Sequence, residues 1–190
     1  MKIQKDNLTP KQKKNAYLKI FFLVILICGF FIYKHFDKTY RTNLLNKNTD
    51  FTFGKIIGNS TYKSTQNFIE YEVNGVKYEI RPLSSRIFNI GEFYSIKYSK
   101  SKPEISEVNY SKPIIIENSD FDTLVGIVTK TFENERLSVL SFSYNFNNKK
   151  YDRDVILEKI GELKKENRIK ILVNKKNPKI SYLSEQIKTE

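Results

Sequence analysis

Residues 69–80 read IEYEVNGVKYEI, and residues 142–153 read FSYNFNNKKYDR. The two stretches align at an offset of 73, which matches Tyr71 with Tyr144. In each stretch residues that alternate between two faces lead into a two-residue turn, and residues 74–75 are Asn-Gly, the strongest short-range hairpin signal. One β-hairpin is therefore encoded twice, which predicts two copies of a small β module.

The match continues on both sides of the hairpin, with small changes of offset between the strands. The first copy has predicted strands at 53–57, 67–73, 76–80, 93–98 and 105–108. The second copy follows the same order, with an additional short helix predicted over 154–166. We expect β module 1 at 51–108, a connecting segment at 109–124 in which 114–116 adds an edge strand, β module 2 at 125–183 and a tail at 184–190.

An apolar run precedes the modules. Residues 20–33 contain no polar side chain except the tyrosine at the end, and their flanks extend the apolar segment to about 16–35, long enough to cross a bilayer. Thr9, Pro10 and Gln12 form a helix start signal with a capping box, so the helix is predicted to run from about 10 to about 44. The residues assigned to the membrane anchor are Tyr17, Lys19, Phe21, Leu23, Ile25, Phe30 and Tyr33.

Two other interpretations of this run are weaker. A cleavable signal peptide fits the basic residues 1–15, but no small-residue cleavage pattern follows the run. A buried helix of a soluble core would need surroundings that the rest of the chain does not supply. The predicted fold class is therefore mainly β: a single transmembrane α-helix followed by two tandem antiparallel β modules of barrel or sandwich type.

The distribution of charge predicts the orientation in the membrane. The net charge is +12, and residues 1–50 contribute +7 of it, from ten Lys and Arg against three Asp. Six of these cations lie upstream of the apolar run and four lie downstream, which favours a cytoplasmic N-terminus and extracytoplasmic modules in the inner, cytoplasmic membrane. The modules themselves are only mildly basic, so we expect no nucleic-acid partner.

Few residues offer catalytic or metal-binding chemistry. Cys28 and His35 are the only cysteine and the only histidine, so a disulfide, a catalytic triad and an imidazole cluster are excluded within one chain. Glu70 and Glu72 share one strand face and could pair, but the polar face of a half-exposed strand gives the same pattern. The remaining acidic candidates, Glu79 and the D-x-D pairs at 120–122 and 152–154, lack the features of a calcium loop. We expect no cofactor and no catalytic residue.

The motif residues resemble a widespread family of bacterial membrane-anchored β domains of unknown function. The pattern is a glycine before the hairpin, Y-x-V-x-G-x-x-Y within it, Gly-Glu before the next strand, and a tyrosine followed five residues later by proline. The resemblance implies a fold and a membrane setting, and it implies no catalytic residue. The motif residues are Gly54, Tyr71, Gly75, Tyr78, Gly91, Tyr98 and Pro103 in the first copy and Gly126, Tyr144, Tyr151 and Pro178 in the second.

Two functional hypotheses follow. The first is a non-catalytic, single-pass membrane protein, an interaction or accessory subunit of an envelope complex, whose modules contact a protein partner. Small β modules offer edge strands to such partners, here at 114–116 and 180–183. The alternative is a small-ligand binder or hydrolase that uses carboxylate or Ser–Lys chemistry at the module junction.

Overall fold

The computed structural model describes residues 9–187 and contains one long helix followed by ten strands. The predicted basic segment 1–15 and tail 184–190 lie partly outside the described residues. The elements are α1 (Pro10–Lys47), β1 (Thr49–Ser60), β2 (Gln66–Val73), β3 (Val76–Ile80), β4 (Phe93–Ser99), β5 (Lys102–Ile114), β6 (Phe121–Asn134), β7 (Leu137–Phe146), β8 (Lys149–Leu157), β9 (Arg168–Asn174) and β10 (Ser181–Leu183).

Helix α1 begins as the sequence predicts. Thr9 is the N-cap, Pro10 is the first helical residue, and the reciprocal bonds of the capping box join Thr9 to Gln12. The helix has 38 residues, so it is about 57 Å long. Its most apolar 18-residue window has a mean hydropathy of 2.3, and none of that window is buried by the protein. By length and composition, α1 can cross a bilayer.

The strands form two antiparallel five-stranded sheets with the same topology. The first sheet has the order β3-β2-β1-β4-β5, and the second, read from its far edge, has the order β8-β7-β6-β9-β10. The pairing of β1 with β2 shifts its register after Ile56, and the pairing of β6 with β7 shifts at the equivalent position, after Val128. The predicted mainly β fold with a leading helix and two matching sheets is thus confirmed.

Both hairpin turns have the backbone that the sequence predicts. Asn74 and Gly75 have φ angles of 52° and 79°, and Asn147 and Asn148 have φ angles of 49° and 59°. Glycine and asparagine tolerate this left-handed region better than other residues. The turns therefore fix the register of each hairpin, and with it the face that enters each core.

Each sheet encloses an apolar core on its inward face. In both modules a glycine, Gly54 or Gly126, lies near the middle of the first strand. A Cβ atom on Gly54 would lie 2.7 Å from Ile69 Cγ2, whereas one on Gly126 would lie 3.3 Å from Ile171 Cγ2. The glycines thus allow neighbouring side chains to approach the strand closely, and the first module is the tighter of the two.

The helix predicted over 154–166 is wrong. Strand β8 continues to Leu157 because it pairs with β7 as far as Ser138. The residues that follow form turns, and Gly161 has a φ of 64°, which interrupts any helix there. Ile160 is still buried in the core of the second module. The apolar spacing that indicated a helix thus reflects burial of a strand end and of the turn after it.

The connecting segment is shorter than the predicted 109–124. Strand β5 extends to Ile114 after a large bulge, in which Tyr94 pairs with Pro113 while Ser95 pairs with Asn109. The bulge lets Tyr110 pack against the core of the first module. Only residues 115–120 remain between β5 and β6, so the predicted edge strand at 114–116 is limited to its first residue.

Candidate functional site

The tyrosine and the proline that the motif repeats have the same role in both modules. The Tyr71 hydroxyl donates to the Pro103 carbonyl oxygen at 2.6 Å and accepts from the Ser106 hydroxyl at 2.8 Å. The Tyr144 hydroxyl donates to the Pro178 carbonyl oxygen. Burial raises the pKa of both tyrosines. These bonds join the second strand of the first sheet to β5 and the second strand of the second sheet to the turn before β10, so the pair has a structural role.

The aromatic partner within each hairpin is repeated too. Tyr71 stacks on Tyr78 with ring centroids 5.6 Å apart, and Tyr144 stacks on Tyr151 at 5.7 Å. Tyr71 and Tyr144 are buried, and Tyr78 and Tyr151 are half-buried beneath these stacks, so the four motif tyrosines support the fold. Tyr98 packs at the edge of the first core.

The turn before the fourth strand of each module is also repeated. Gly91 has a φ of 97°, and the equivalent Glu166 has a φ of 72°. In the first module Glu92 Oε1 accepts the Asn89 backbone N–H at 2.8 Å, and in the second Asn167 Oδ1 accepts the Lys164 N–H at 2.7 Å. One side-chain oxygen is therefore enough to accept the backbone N–H of this turn, and Oε2 of Glu92 is available for another partner.

That partner is Arg153 of the other module. Arg153 Nη2 lies 2.7 Å from Glu92 Oε2, and the Tyr94 hydroxyl donates to the same oxygen. The Glu92 side chain is 0 % exposed and that of Arg153 is 6 % exposed. Arg153 Nε also donates to the Ser181 carbonyl oxygen at 3.3 Å. A buried ion pair, with further hydrogen bonds to both partners, thus joins the two modules.

The electrostatics of this cluster keep its tyrosines protonated and its arginine charged. Burial and then the Glu92 carboxylate raise the pKa of Tyr94 well above its usual value, and the same two causes raise the pKa of Tyr182. Burial lowers the pKa of Arg153, but Glu92 and the tyrosines outweigh it and the net shift is upward. The hydroxyls stay protonated and the guanidinium stays charged, which suits a structural contact and not a proton-transfer site.

Apolar side chains surround the ion pair. Ile180 and Tyr182 belong to the second module, yet they pack in the core cluster of the first. The Tyr182 ring centroid lies 6.5 Å from that of Tyr94 and 6.0 Å from that of Phe121. The prediction that the edge at 180–183 accepts a partner strand is therefore wrong. These residues are buried between the two modules.

Polar contacts surround this buried centre. Arg86 of the first module lies 3.0 Å from Asp154 of the second. The Gln186 amide donates to the Ile156 carbonyl oxygen at 2.8 Å and to the Ser111 carbonyl oxygen at 3.4 Å, which bridges an edge of each sheet. The two modules are thus packed together through a mixed apolar and charged interface.

The sequence missed this interface. The motif contains Glu92 only as part of the Gly-Glu pair before a strand, and no motif residue points to Arg153. The alternation in β8 does indicate such a contact. Arg153, Val155 and Leu157 share the inward face of this strand, and an arginine on a buried face requires a buried anion.

The carboxylates considered for catalysis or metal binding are dispersed. Glu70 pairs with Lys77, and Glu79 pairs with Arg81. Three of the four D-x-D residues pair separately as well: Asp120 with Lys176, Asp122 with Lys175 and Asp154 with Arg86. Within residues 9–187, no three His, Cys, Asp or Glu side chains lie close enough together to hold a metal ion.

The predicted anchor residues all lie on the exposed surface of α1. The apolar and aromatic ones are 48–72 % exposed, from Ile25 to Tyr17, and contribute to neither core. After Tyr33 the helix continues for 14 residues and meets the first module, where Lys102 Nζ lies 5.2 Å from the Tyr40 ring centroid. The part of the helix beyond the apolar segment therefore forms a stalk at residues 34–47.

No protein-family model matches the chain, and no curated protein matches it. The resemblance to bacterial membrane-anchored β domains therefore stays a prediction that the motif residues alone support.

Proposed function

We propose that this chain is a bacterial single-pass membrane protein whose tandem β modules act outside the cytoplasm as a non-catalytic interaction or accessory subunit of an envelope complex. The observation that carries the proposal is the continuous helix α1, which passes without a break from an apolar, unburied segment into a stalk that ends one residue before β1. Such a helix would hold the modules at a fixed place beside the bilayer.

The module junction supports a scaffold role. The buried pair of Glu92 and Arg153 fixes the two modules against each other, and burial keeps the nearby tyrosines in one protonation state. The alternative of a hydrolase or ligand binder needs convergent reactive groups. In the described chain the acidic candidates lie instead in separate, partly exposed ion pairs, so no observation favours that alternative.

Orientation is tested first. The excess of Lys and Arg upstream of the apolar run favours a cytoplasmic N-terminus. Alkaline phosphatase fused after Glu190 is expected to be active, and β-galactosidase fused there is expected to be inactive. The reverse pattern would place the modules in the cytoplasm and would contradict the proposed localisation.

The interaction role is tested by purification. The full chain, isolated from membranes in mild detergent, is expected to bring down a membrane or envelope protein in a fixed ratio. The control is a chain carrying residues 1–47 alone, which keeps the anchor and removes both modules. Recovery of the full chain alone, or of the same proteins with the control, would contradict the proposed role.

A further inference from the structure

The first module is held against the stalk, beside the apolar segment of α1. A single residue, Asn48, separates α1 from β1, and its carbonyl oxygen accepts the Lys100 backbone N–H at 2.9 Å. Lys102 of the edge strand β5 meets Tyr40 of the stalk, with Nζ 5.2 Å from the ring centroid. The module therefore lies along the part of the helix that follows the predicted membrane span.

A cleft of about 510 Å³ lies between the stalk and β5. Three cations of the stalk line it, Lys34, Lys38 and Arg41, and Ser106 and Glu107 line it from the strand. The three cations are four and three residues apart, so they share one face of the helix. The volume is typical of a site for a small ligand, which takes about 300–1,000 Å³.

The same face of α1 is apolar on the other side of Tyr33. Ile27 and Phe30 lie seven and four residues before Lys34, and they are 47 % and 56 % exposed. Lys34 Nζ lies 5.7 Å from the Phe30 ring centroid, so these two side chains meet on one face. This face changes from apolar to cationic at the end of the apolar run, as a phospholipid changes where its acyl chains meet its phosphate.

The depth of the cations matches that of lipid phosphate. Lys34 and Lys38 lie about 2 Å and about 8 Å beyond Tyr33 along the helix axis. The headgroup layer is about 5–8 Å thick on each side of a bilayer. Side chains of a helix lean toward its N-terminus, so the longer side chain of Arg41 leans toward the bilayer as well.

Carboxylates in and beside the cleft leave its charge positive. Within residues 9–187, none of the three stalk cations is in an ion pair. Glu107 lies opposite Lys97 in the ladder of β4 and β5, and Glu104 shares a strand face with Lys102. Each of these two carboxylates thus has a neighbouring cation. Only Asp37 of the cleft lining has no such neighbour outside the stalk, and three cations face it.

We infer that this cleft binds the headgroup of an anionic phospholipid, with the phosphodiester against Lys34, Lys38 and Arg41 and the acyl chains along the apolar face that contains Phe30. The inference rests on the membrane anchoring in the proposed function, and it depends neither on the orientation nor on the interaction role. A lipid bound there contacts the stalk and β5 together. It therefore holds the first module at the bilayer surface.

The charge of the cleft selects among headgroups. The hydroxyls of phosphatidylglycerol can donate to the carboxylates of Asp37 and Glu107 and bring no positive charge with them. The ammonium group of phosphatidylethanolamine or phosphatidylcholine adds a cation to a site that already has an excess of them. We therefore expect a preference for the anionic lipid.

The experiment follows the thermal unfolding of the β modules in the full chain, in dodecyl maltoside, by the near-ultraviolet circular dichroism of tyrosine. A lipid that bridges the stalk and β5 stabilises the folded module. Saturating phosphatidylglycerol is expected to raise the melting temperature by at least about 5 °C. Phosphatidylethanolamine and phosphatidylcholine with the same acyl chains are expected to have less than a third of this effect.

Two cleft variants are expected to change the phosphatidylglycerol effect in opposite directions. Lys38→Gln with Arg41→Gln removes most of the shift, whereas Glu107→Gln increases it, because a carboxylate leaves the cleft. A general loss of stability cannot produce both results. Lys13→Gln with Lys14→Gln is the matched control: it removes two cations from the other end of α1 and is expected to leave the shift unchanged.

Three results would overturn the inference. The first is an equal shift with phosphatidylglycerol and phosphatidylethanolamine, and the second is an unchanged shift in the Lys38→Gln and Arg41→Gln variant. The third concerns glycerophosphoglycerol, the same headgroup without acyl chains, which is expected to give no shift at the same concentration. A shift as large as that of the lipid would assign the cleft to a soluble phosphodiester.

Extraction of membranes with alkaline carbonate distinguishes the failure of this inference from the failure of the proposed function. The chain is expected to stay in the membrane pellet. If it is extracted, the anchoring is wrong and the inference fails with it. If it stays in the pellet and phosphatidylglycerol gives no shift, the assignment of the cleft is wrong and the anchoring stands.

Discussion

Arg153→Met is expected to lower the free energy of unfolding of the β modules by about 3–5 kcal/mol, because it leaves the buried Glu92 carboxylate without its cation. It also removes the bond to the Ser181 carbonyl oxygen. The measurement is urea denaturation of the full chain in detergent. The chain has 12 tyrosines and no tryptophan, so the tyrosine signal in near-ultraviolet circular dichroism reports on packing.

A second substitution separates the charge effect from the packing effect. Adding Glu92→Gln to Arg153→Met removes both buried charges and keeps an oxygen that can accept the Asn89 N–H. The double variant is expected to be about 1–3 kcal/mol more stable than Arg153→Met alone. If the loss of stability in the double variant equals the sum of the losses in Arg153→Met and Glu92→Gln, the ion pair is not a coupled unit and this account of the junction is wrong.

Arg86→Met is the matched control at the same interface. Arg86 and its partner Asp154 are both about two-fifths exposed, so water screens the pair. Its loss is expected to cost less than about 1 kcal/mol. A cost similar to that of Arg153→Met would show that burial does not distinguish the two pairs.

Tyr182→Ala is expected to destabilise the modules by about 3–5 kcal/mol and to loosen them from each other, because it leaves a cavity at the centre of the junction. The Tyr182 ring lies between Tyr94 of the first module and Phe121 at the start of the second sheet. Limited proteolysis is expected to cut residues 115–120 faster in this variant, since that segment joins the modules.

Two further variants calibrate this result. Tyr182→Phe keeps the ring and its packing, and it is expected to cost no more than about 1 kcal/mol. Tyr62→Ala, at a side chain that is 78 % exposed, is expected to change stability by less than about 0.5 kcal/mol. If Tyr182→Ala behaves like Tyr62→Ala, the ring does not hold the modules together.

The regular elements were largely predictable because their causes are local. The capping box at Thr9 and the apolar run set the start and the nature of α1, and the Asn-Gly and Asn-Asn pairs set the two turns. Alternation with a period of two placed Ile69, Tyr71 and Val73 on the core face, where they are buried. Strand ends were less predictable, since pairing with a neighbour extended β5 and β8 beyond their local signals.

The sequence by itself determined the long apolar helix, the succession of strands along each module and the repeated hairpins, since these follow from short-range backbone preferences and from periodicity. Only the tertiary structure decided how the modules meet and which apolar residues remain exposed. Glu92 and Arg153 are 61 residues apart, so no local pattern pairs them. Their pairing depends on the three-dimensional position of Tyr182 and Ile180, which enter the core of a module that their own strand does not belong to.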